Sequence, residues 1–112
     1  MTDVEQRKIF GENLNYFIKM KEKTQSEVAD ELDVPRTTFN TWSVGKVVPG
    51  MKMLNKLASY FGCTLADLVD EHGEGYDVRY QFRKLMEEQH DTAFLKRMLA
   101  YAKYLKSNPE EE

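Results

Sequence analysis

Cysteine is almost absent from this chain. Cys63 stands alone, so no internal disulfide can form, and the usage fits a reducing, cytoplasmic compartment. The two histidines, His72 and His90, lie far apart with no cysteine pair beside either, which leaves no zinc signature. No apolar run approaches the ~20 residues that span a bilayer, and the first residues, MTDVEQRKIF, lack the charged-then-apolar form of a secretory leader. A nucleophile–base pairing, a glycine-rich phosphate loop and a metal-ligand cluster are all missing. An enzyme is therefore disfavoured, no catalytic residue is singled out, and no cofactor is expected. Acid is missing locally as well: no Asp or Glu occurs from Val34 to Ala66, a window that holds Arg36, Lys46, Lys52 and Lys56.

What is present fits a soluble helical protein. The 112 residues, 41% hydrophobic and 31% charged, suffice for one compact domain with an appendage. The net charge of −3 at first sight argues against a nucleic-acid partner, but it is unevenly spread. Residues 1–62 carry nine basic and eight acidic side chains, and residues 63–112 carry seven and eleven. A locally positive face can bind phosphate on an acidic protein, because charges beyond a Debye length of ~8–10 Å are screened.

The stretch TQSEVADELDVPRTTFNTWSVGK, Thr24 to Lys46, organises the rest. Thr24 and Glu27 make a T-x-x-E capping box, after which Val28, Ala29 and Leu32 share a helical face. Asp33-Val34 breaks that pattern, and Pro35 suits the first position of a second helix. Phe39 and Trp42, three apart, give this helix a buried side. Its other side carries Arg36, Thr37, Asn40 and Thr41, with no acid among them; Thr38 is expected to turn partly toward the body. Before this pair, residues 4–21 read as a helix with Asp3 as N-cap and a stripe of Phe10, Leu14, Phe17 and Ile18. Lys19, Lys21 and Lys23 near its end complement the helix dipole or reach a phosphate. After the pair, Pro49-Gly50 marks a turn, and Met51 to Phe61 reads as a fourth helix with a stripe of Met51, Leu54, Leu57, Ala58 and Phe61. Lys52 and Lys56, at i and i+4, are either phosphate contacts or a solvated pair. Gly62 ends that helix, and Thr64 with Asp67 caps a short fifth one. Cys63 reads as a small, partly buried hydrophobe.

The order helix, turn, helix resembles the Cro/repressor (lambda-repressor-like, XRE) helix-turn-helix domain. Thr24-Gln25 opens it, Ala29 sits in mid-helix and Trp42…Gly45-Lys46 closes it. The resemblance runs from about Phe10 to Leu68, with GCTLADLV after LNKLASYF agreeing. It implies that the first helix of the pair lies across the DNA backbone and the second enters the major groove. It also implies that Gln25 contacts a phosphate from a helix N-terminus, and that Arg36, Thr37 and Thr41, with Asn40 beside them, face base edges. Two positions depart from the pattern. Pro35 stands where the family often has a Ser or Thr N-cap. Val44 precedes Gly45-Lys46 where the family often has a phosphate-binding Asn, so Lys46 is left to supply the charge.

The fold class expected is all-α, a five-helix lambda-repressor-like domain followed by two C-terminal helices. The expected divisions are residues 1–70 for the DNA-binding domain, 71–75 for a linker around His72-Gly-Glu-Gly75, 76–107 for a helical oligomerisation segment, and 108–112 for a disordered tail. In the first C-terminal helix Val78, Phe82, Leu85 and Met86 share a face. In the second, capped by Asp91 or Thr92, the stripe is Phe94, Leu95, Met98, Leu99, Ala102 and Leu105, with Tyr101 and Tyr104 beside it. Two amphipathic helices cannot bury their own stripes in isolation, so they are expected to pack on the first domain or on a copy of themselves. The resemblance implies a dimerisation segment, with Phe94, Leu95, Met98, Ala102 and Leu105 as the homodimer interface. The functional expectation is a repressor that binds double-stranded DNA as a homodimer on a palindromic operator, with no membrane partner. Arg36, Thr37, Asn40 and Thr41 would read bases; Gln25, Lys46, Lys52 and Lys56 would hold phosphates. The alternative is an antitoxin-type module whose C-terminal helices neutralise a protein partner.

Overall fold

The computed structural model describes residues 2–109. These residues form seven α-helices and no strand: α1 (Asp3–Met20), α2 (Gln25–Glu31), α3 (Arg36–Ser43), α4 (Met51–Phe61), α5 (Leu65–Val69), α6 (Tyr76–Glu88) and α7 (Thr92–Ser107). The chain divides into two units between His72 and Gly73.

In the first unit, five helices enclose a core. Phe10, Leu14, Val28, Ala29, Phe39, Leu57 and Leu68 are fully buried, with Phe17, Ile18, Leu32, Trp42, Leu54 and Phe61 close behind. The Phe17 and Phe61 rings meet at 5.8 Å across it. Met51, expected in the α4 stripe, is instead 59% exposed. It is the first residue of its helix, and a helical side chain leans back toward the preceding turn, which here is only the Gly50 cap.

The helix ends explain why the loops are short. Gly45 at φ +80° and Gly62 at φ +66° terminate α3 and α4 in the left-handed conformation. Glu22 (φ 57°) and Asp33 (φ 60°) do the same for α1 and α2 without being glycine. At α2 the Asp33 N–H donates to the Asp30 carbonyl at 3.2 Å and the Val34 N–H to that of Ala29 at 2.9 Å. That double bond pattern, with Val34 buried beneath it, is a Schellman end. At the start of α1, Thr2 rather than Asp3 is the N-cap and accepts from the Glu5 N–H at 3.1 Å. Lys21 lies over the Tyr60 ring at 4.7 Å and Lys23 pairs with Glu31 at 2.7 Å, so two of the three lysines near the end of α1 tie it to α4 and α2.

Helix α5 has only five residues, and its last carbonyls are satisfied from α1. The Asn13 amide donates to the carbonyls of Leu68 and Asp70, both at 2.8 Å, and Gln6 donates to Val69 at 2.8 Å. Seven residues separate Gln6 from Asn13, so both lie on one face of α1. His72 also belongs here and not to the expected linker. Its Nε2 lies 2.8 Å from the Asp67 carbonyl, and its ring meets Tyr16 and Phe17 edge-on at 5.6 and 6.0 Å.

The second unit is α6 and α7. Gly75, left-handed at φ +81°, precedes α6. Asp91 caps α7, accepting from the N–H groups of Ala93 and Phe94. The predicted α6 face lies open: Val78, Phe82 and Leu85 are 70%, 48% and 51% exposed, while Tyr80, absent from the stripe, is buried. On α7, Leu99, Tyr101, Ala102, Tyr104 and Leu105 are exposed and Phe94, Leu95 and Met98 half-buried. Asn108, expected in the tail, is the C-cap of α7, its side chain donating to the Tyr104 carbonyl at 2.9 Å. Residues 110–112, the rest of that expected tail, lie outside the described residues.

Asn13 offers a direct test of the α1–α5 joint. Asn13→Ala leaves the Leu68 carbonyl buried without its donor, and should lower stability by about 1–3 kcal/mol. Urea unfolding should show a reduced midpoint with an unchanged slope.

Candidate nucleic-acid interface

Helix α2 begins with the predicted capping box. The Thr24 hydroxyl accepts from the Glu27 N–H at 3.1 Å, and the Glu27 carboxylate accepts from the Thr24 N–H at 2.9 Å. Those bonds hold the Glu27 carboxyl below its ordinary range, the bond from the Thr24 backbone contributing most. Helix α3 starts one residue later than predicted. Pro35 is the N-cap, with φ −56° and ψ 136°, and supplies no side-chain cap. Eight residues are too few for a helix to persist alone, so packing holds α3 in place. Phe39 and Trp42 sit in the core with ring centroids 5.4 Å apart.

The far end of α3 presses against α1. A Cβ on Gly11 would lie 3.0 Å from the carbonyl oxygens of both Ser43 and Trp42 and 3.1 Å from the Gly45 nitrogen. A side chain there would crowd these backbone atoms by a few tenths of an ångström, so glycine suits the approach. The Asn15 amide adds a bond to the Ser43 carbonyl at 3.0 Å. After α3 the Lys46 and Val47 N–H groups both reach the Thr41 carbonyl, at 2.9 and 3.2 Å, and the Gly45 N–H reaches that of Trp42. The loop is thus anchored although Val44 replaces the family's asparagine; Val44 itself is 55% exposed.

The outer face of α3 carries the predicted side chains. Arg36, Thr37, Thr38 and Asn40 are exposed and Thr41 half-buried, so Thr38 does not turn inward as expected. The Thr41 hydroxyl donates to the Thr38 carbonyl at 2.6 Å. Gln25 joins this face from α2: its amide donates to the Asn40 side-chain oxygen at 3.2 Å and accepts from the Ser43 hydroxyl at 2.8 Å. The lysines are spread more widely. Lys46 and Lys52 are exposed, with no ion pair among the described residues. Lys56 donates to the Leu32 carbonyl at 3.1 Å, where its charge complements the end of α2.

An acid does stand beside the acid-free window. Asp30 of α2 accepts from Arg36 Nε at 3.1 Å and from Nη2 at 2.6 Å. The hydrogen bonds from Arg36 hold the Asp30 carboxyl below its usual range and raise the guanidinium in return. Six residues separate the two, too far for a helical pairing rule, so no sequence signal announces the contact. The Tyr60 hydroxyl is pushed up to about 12, mostly by burial and then by its bond to Glu31, and takes no part in the exposed face. No cluster of three or more metal-ligating side chains occurs among the described residues.

A family model described as the Cro/C1-type HTH DNA-binding domain matches residues 13–70, more than half of the chain. The chain belongs to the Cro/C1-type helix-turn-helix family. Within it, the chain is 33% identical over 60 residues to the HTH-type transcriptional activator BcrR of Enterococcus faecalis. That match covers 54% of this chain but only 29% of the activator's length. Among solved structures, the SOS-response transcriptional repressor LexA of Eubacterium rectale matches at 40% identity and a TM-score of 0.60, over 66% of this chain and 79% of that one. The matched span of the Cro/C1-type domain ends at the α5 joint. No helix among the described residues is long and apolar enough to cross a membrane.

Gly11→Ala tests how far the α3 face depends on α1. Every atom the new methyl meets is backbone, which must give by a few tenths of an ångström, and stability should fall by about 1–3 kcal/mol. Gly50→Ala, whose methyl meets nothing within 4 Å, is the control. Thermal unfolding of the two variants should separate by several degrees.

Proposed function

We propose that this protein is a sequence-specific regulator of transcription that binds double-stranded DNA as a homodimer on a palindromic site and represses by occupying it. The observation that carries the reading is the outer face of α3, with Arg36, Thr37 and Asn40 exposed and Thr41 half-buried, on a helix pinned from behind by Phe39 and Trp42. A rigid helix presenting donors at its N-terminal end suits base-edge recognition in a major groove. Gln25, at the start of α2, has a backbone N–H at a helix N-terminus, a position that favours a phosphate oxygen. Lys46 lies at the opposite end of α3 and adds a second backbone contact. Lys52 extends this set. Lys56 serves α2 first and contributes to phosphate binding only through its charge. Repression by occupancy requires no surface beyond this one and the dimer contact, and the site of action is the cytoplasm.

The dimer rests on the open apolar faces of α6 and α7. A second copy covering Phe94, Leu95, Met98, Ala102 and Leu105 would remove them from water and fix the spacing of two half-sites together. The protein partner of the antitoxin alternative would use the same faces.

Selection of bound sequences from random duplex DNA with the full chain tests the first claim. Binding to the recovered site should weaken steeply with salt, and Lys46→Ala should make the slope shallower by about one unit while weakening specific and random DNA alike. A slope near zero for the parent protein rejects DNA binding. Transcription from a template carrying the site should fall on adding the protein; a rise makes it an activator.

Light scattering tests the second claim. The full chain should be a dimer at tens of micromolar on the order expected of an apolar helical interface. Leu95→Glu with Met98→Glu should give a monomer, since an unpaired carboxylate in an apolar interface costs about 3–5 kcal/mol. A monomeric parent rejects the homodimer and leaves the faces to a different protein.

A further inference from the structure

We propose that Asp30 is a specificity-determining residue of the DNA-binding face: by gripping one edge of the Arg36 guanidinium, it presents the other edge to a guanine. This rests on the reading of Arg36 as a base contact given above.

Asp30 lies in the last turn of α2 and Arg36 opens α3. The left-handed Asp33 folds the chain between them so tightly that the two side chains meet. The contact is a parallel fork, Nε to Oδ1 and Nη2 to Oδ2. Both side chains are more than half exposed, at 65% and 56%, and a surface ion pair of that kind adds little to stability. Its consequence is geometric. A guanidinium has five N–H donors in a rigid plane. The fork uses Nε–H and one hydrogen of Nη2, which leaves the second hydrogen of Nη2 and both of Nη1. These line a second two-donor edge, the shape that matches O6 and N7 of guanine. An unrestrained arginine at this position can swing onto a phosphate oxygen as readily as onto a base. With the carboxylate in place, the plane of the guanidinium is fixed and part of its charge is already neutralised, so phosphate gains less from it. The carboxylate also faces the DNA as a negative charge that every sequence must tolerate. Asp30 therefore lowers affinity for DNA in general and raises discrimination at one base pair.

The test uses the full chain and two duplexes. The first is the sequence recovered from a random pool by the parent protein. The second carries adenine in place of the guanine at which Arg36→Ala loses discrimination. Arg36→Ala should reduce the preference between them by about tenfold or more. Asp30→Ala should reduce it by about threefold or more, while binding to random-sequence duplex tightens. In an Arg36→Ala background, Asp30→Ala should leave the preference unchanged, because the carboxylate acts only through the guanidinium. Alanine favours the helix at this exposed position, and circular dichroism verifies that each variant is folded. Asp30→Asn, similar in size but uncharged, should shift the preference in the same direction. An undiminished preference in Asp30→Ala, with Arg36→Ala still losing it, overturns the role of Asp30 alone. A preference that rises in Asp30→Ala overturns it too, since Asp30 would then hold Arg36 away from the base. If no base pair exists at which Arg36→Ala loses discrimination, the base-reading role of Arg36 falls and the role of Asp30 falls with it.

Discussion

The outward polar face of α3 depends on the contact between the middle of α1 and the end of α3. Gly11 lets the α1 backbone come within van der Waals reach of the Ser43 and Trp42 carbonyls, and Asn15 ties the same carbonyl of Ser43 by hydrogen bond. An eight-residue helix has little helicity of its own, so its orientation is set by what it packs on. Phe39 and Trp42 supply the burial, but burial alone is non-directional. The glycine contact fixes the distance, and the bonds from Gln25 to Asn40 and from Ser43 to Gln25 lock α2 to the same helix. Together they make α2 and α3 one rigid object with its polar side outward.

The same economy appears in the loops. Four helices are followed by a residue in the left-handed conformation, and after α1, α2 and α4 the next helix begins within five residues. At α2 this brings Asp30 beside Arg36, and at α3 it gathers the Lys46 and Val47 amides onto Thr41. Charge on the binding face is thus set by where helices stop. A window free of acid along the chain still receives a carboxylate in space. Lys21 and Lys23, which could have served as phosphate contacts, are drawn to Tyr60 and Glu31.

The second unit follows the opposite logic. The first unit closes its core from five helices, whereas α6 and α7 keep apolar rows open to water, Val78, Phe82 and Leu85 on one and Leu99, Tyr101, Tyr104 and Leu105 on the other. A helix that exposes such a row is stabilised by what covers it. The first unit thus closes on its own core, whereas the second leaves apolar side chains exposed.

Much of the first unit was determined by local sequence. The T-x-x-E and T-x-x-D boxes, the stripe of Phe10, Leu14, Phe17 and Ile18, and Gly45 and Gly62 as helix ends are rules of spacing within one helix, where neighbours in sequence are neighbours in space. The outward placement of Arg36, Thr37 and Asn40 followed from the same periodicity, because Phe39 and Trp42 fix which side is inward. Only the tertiary structure decided the rest. The bonds from Gln6 and Asn13 to α5 span more than fifty residues, His72 joins the first unit through contacts with α1, and Met51 is exposed because nothing precedes its turn. Left-handed Glu22 and Asp33 have no glycine to announce them. The Asp30–Arg36 fork joins two helices across a turn whose geometry no periodic rule contains. Sequence periodicity reports which side of a helix is buried; it carries no information on which side chain of another helix lies opposite, because that depends on the angle and distance at which the helices pack.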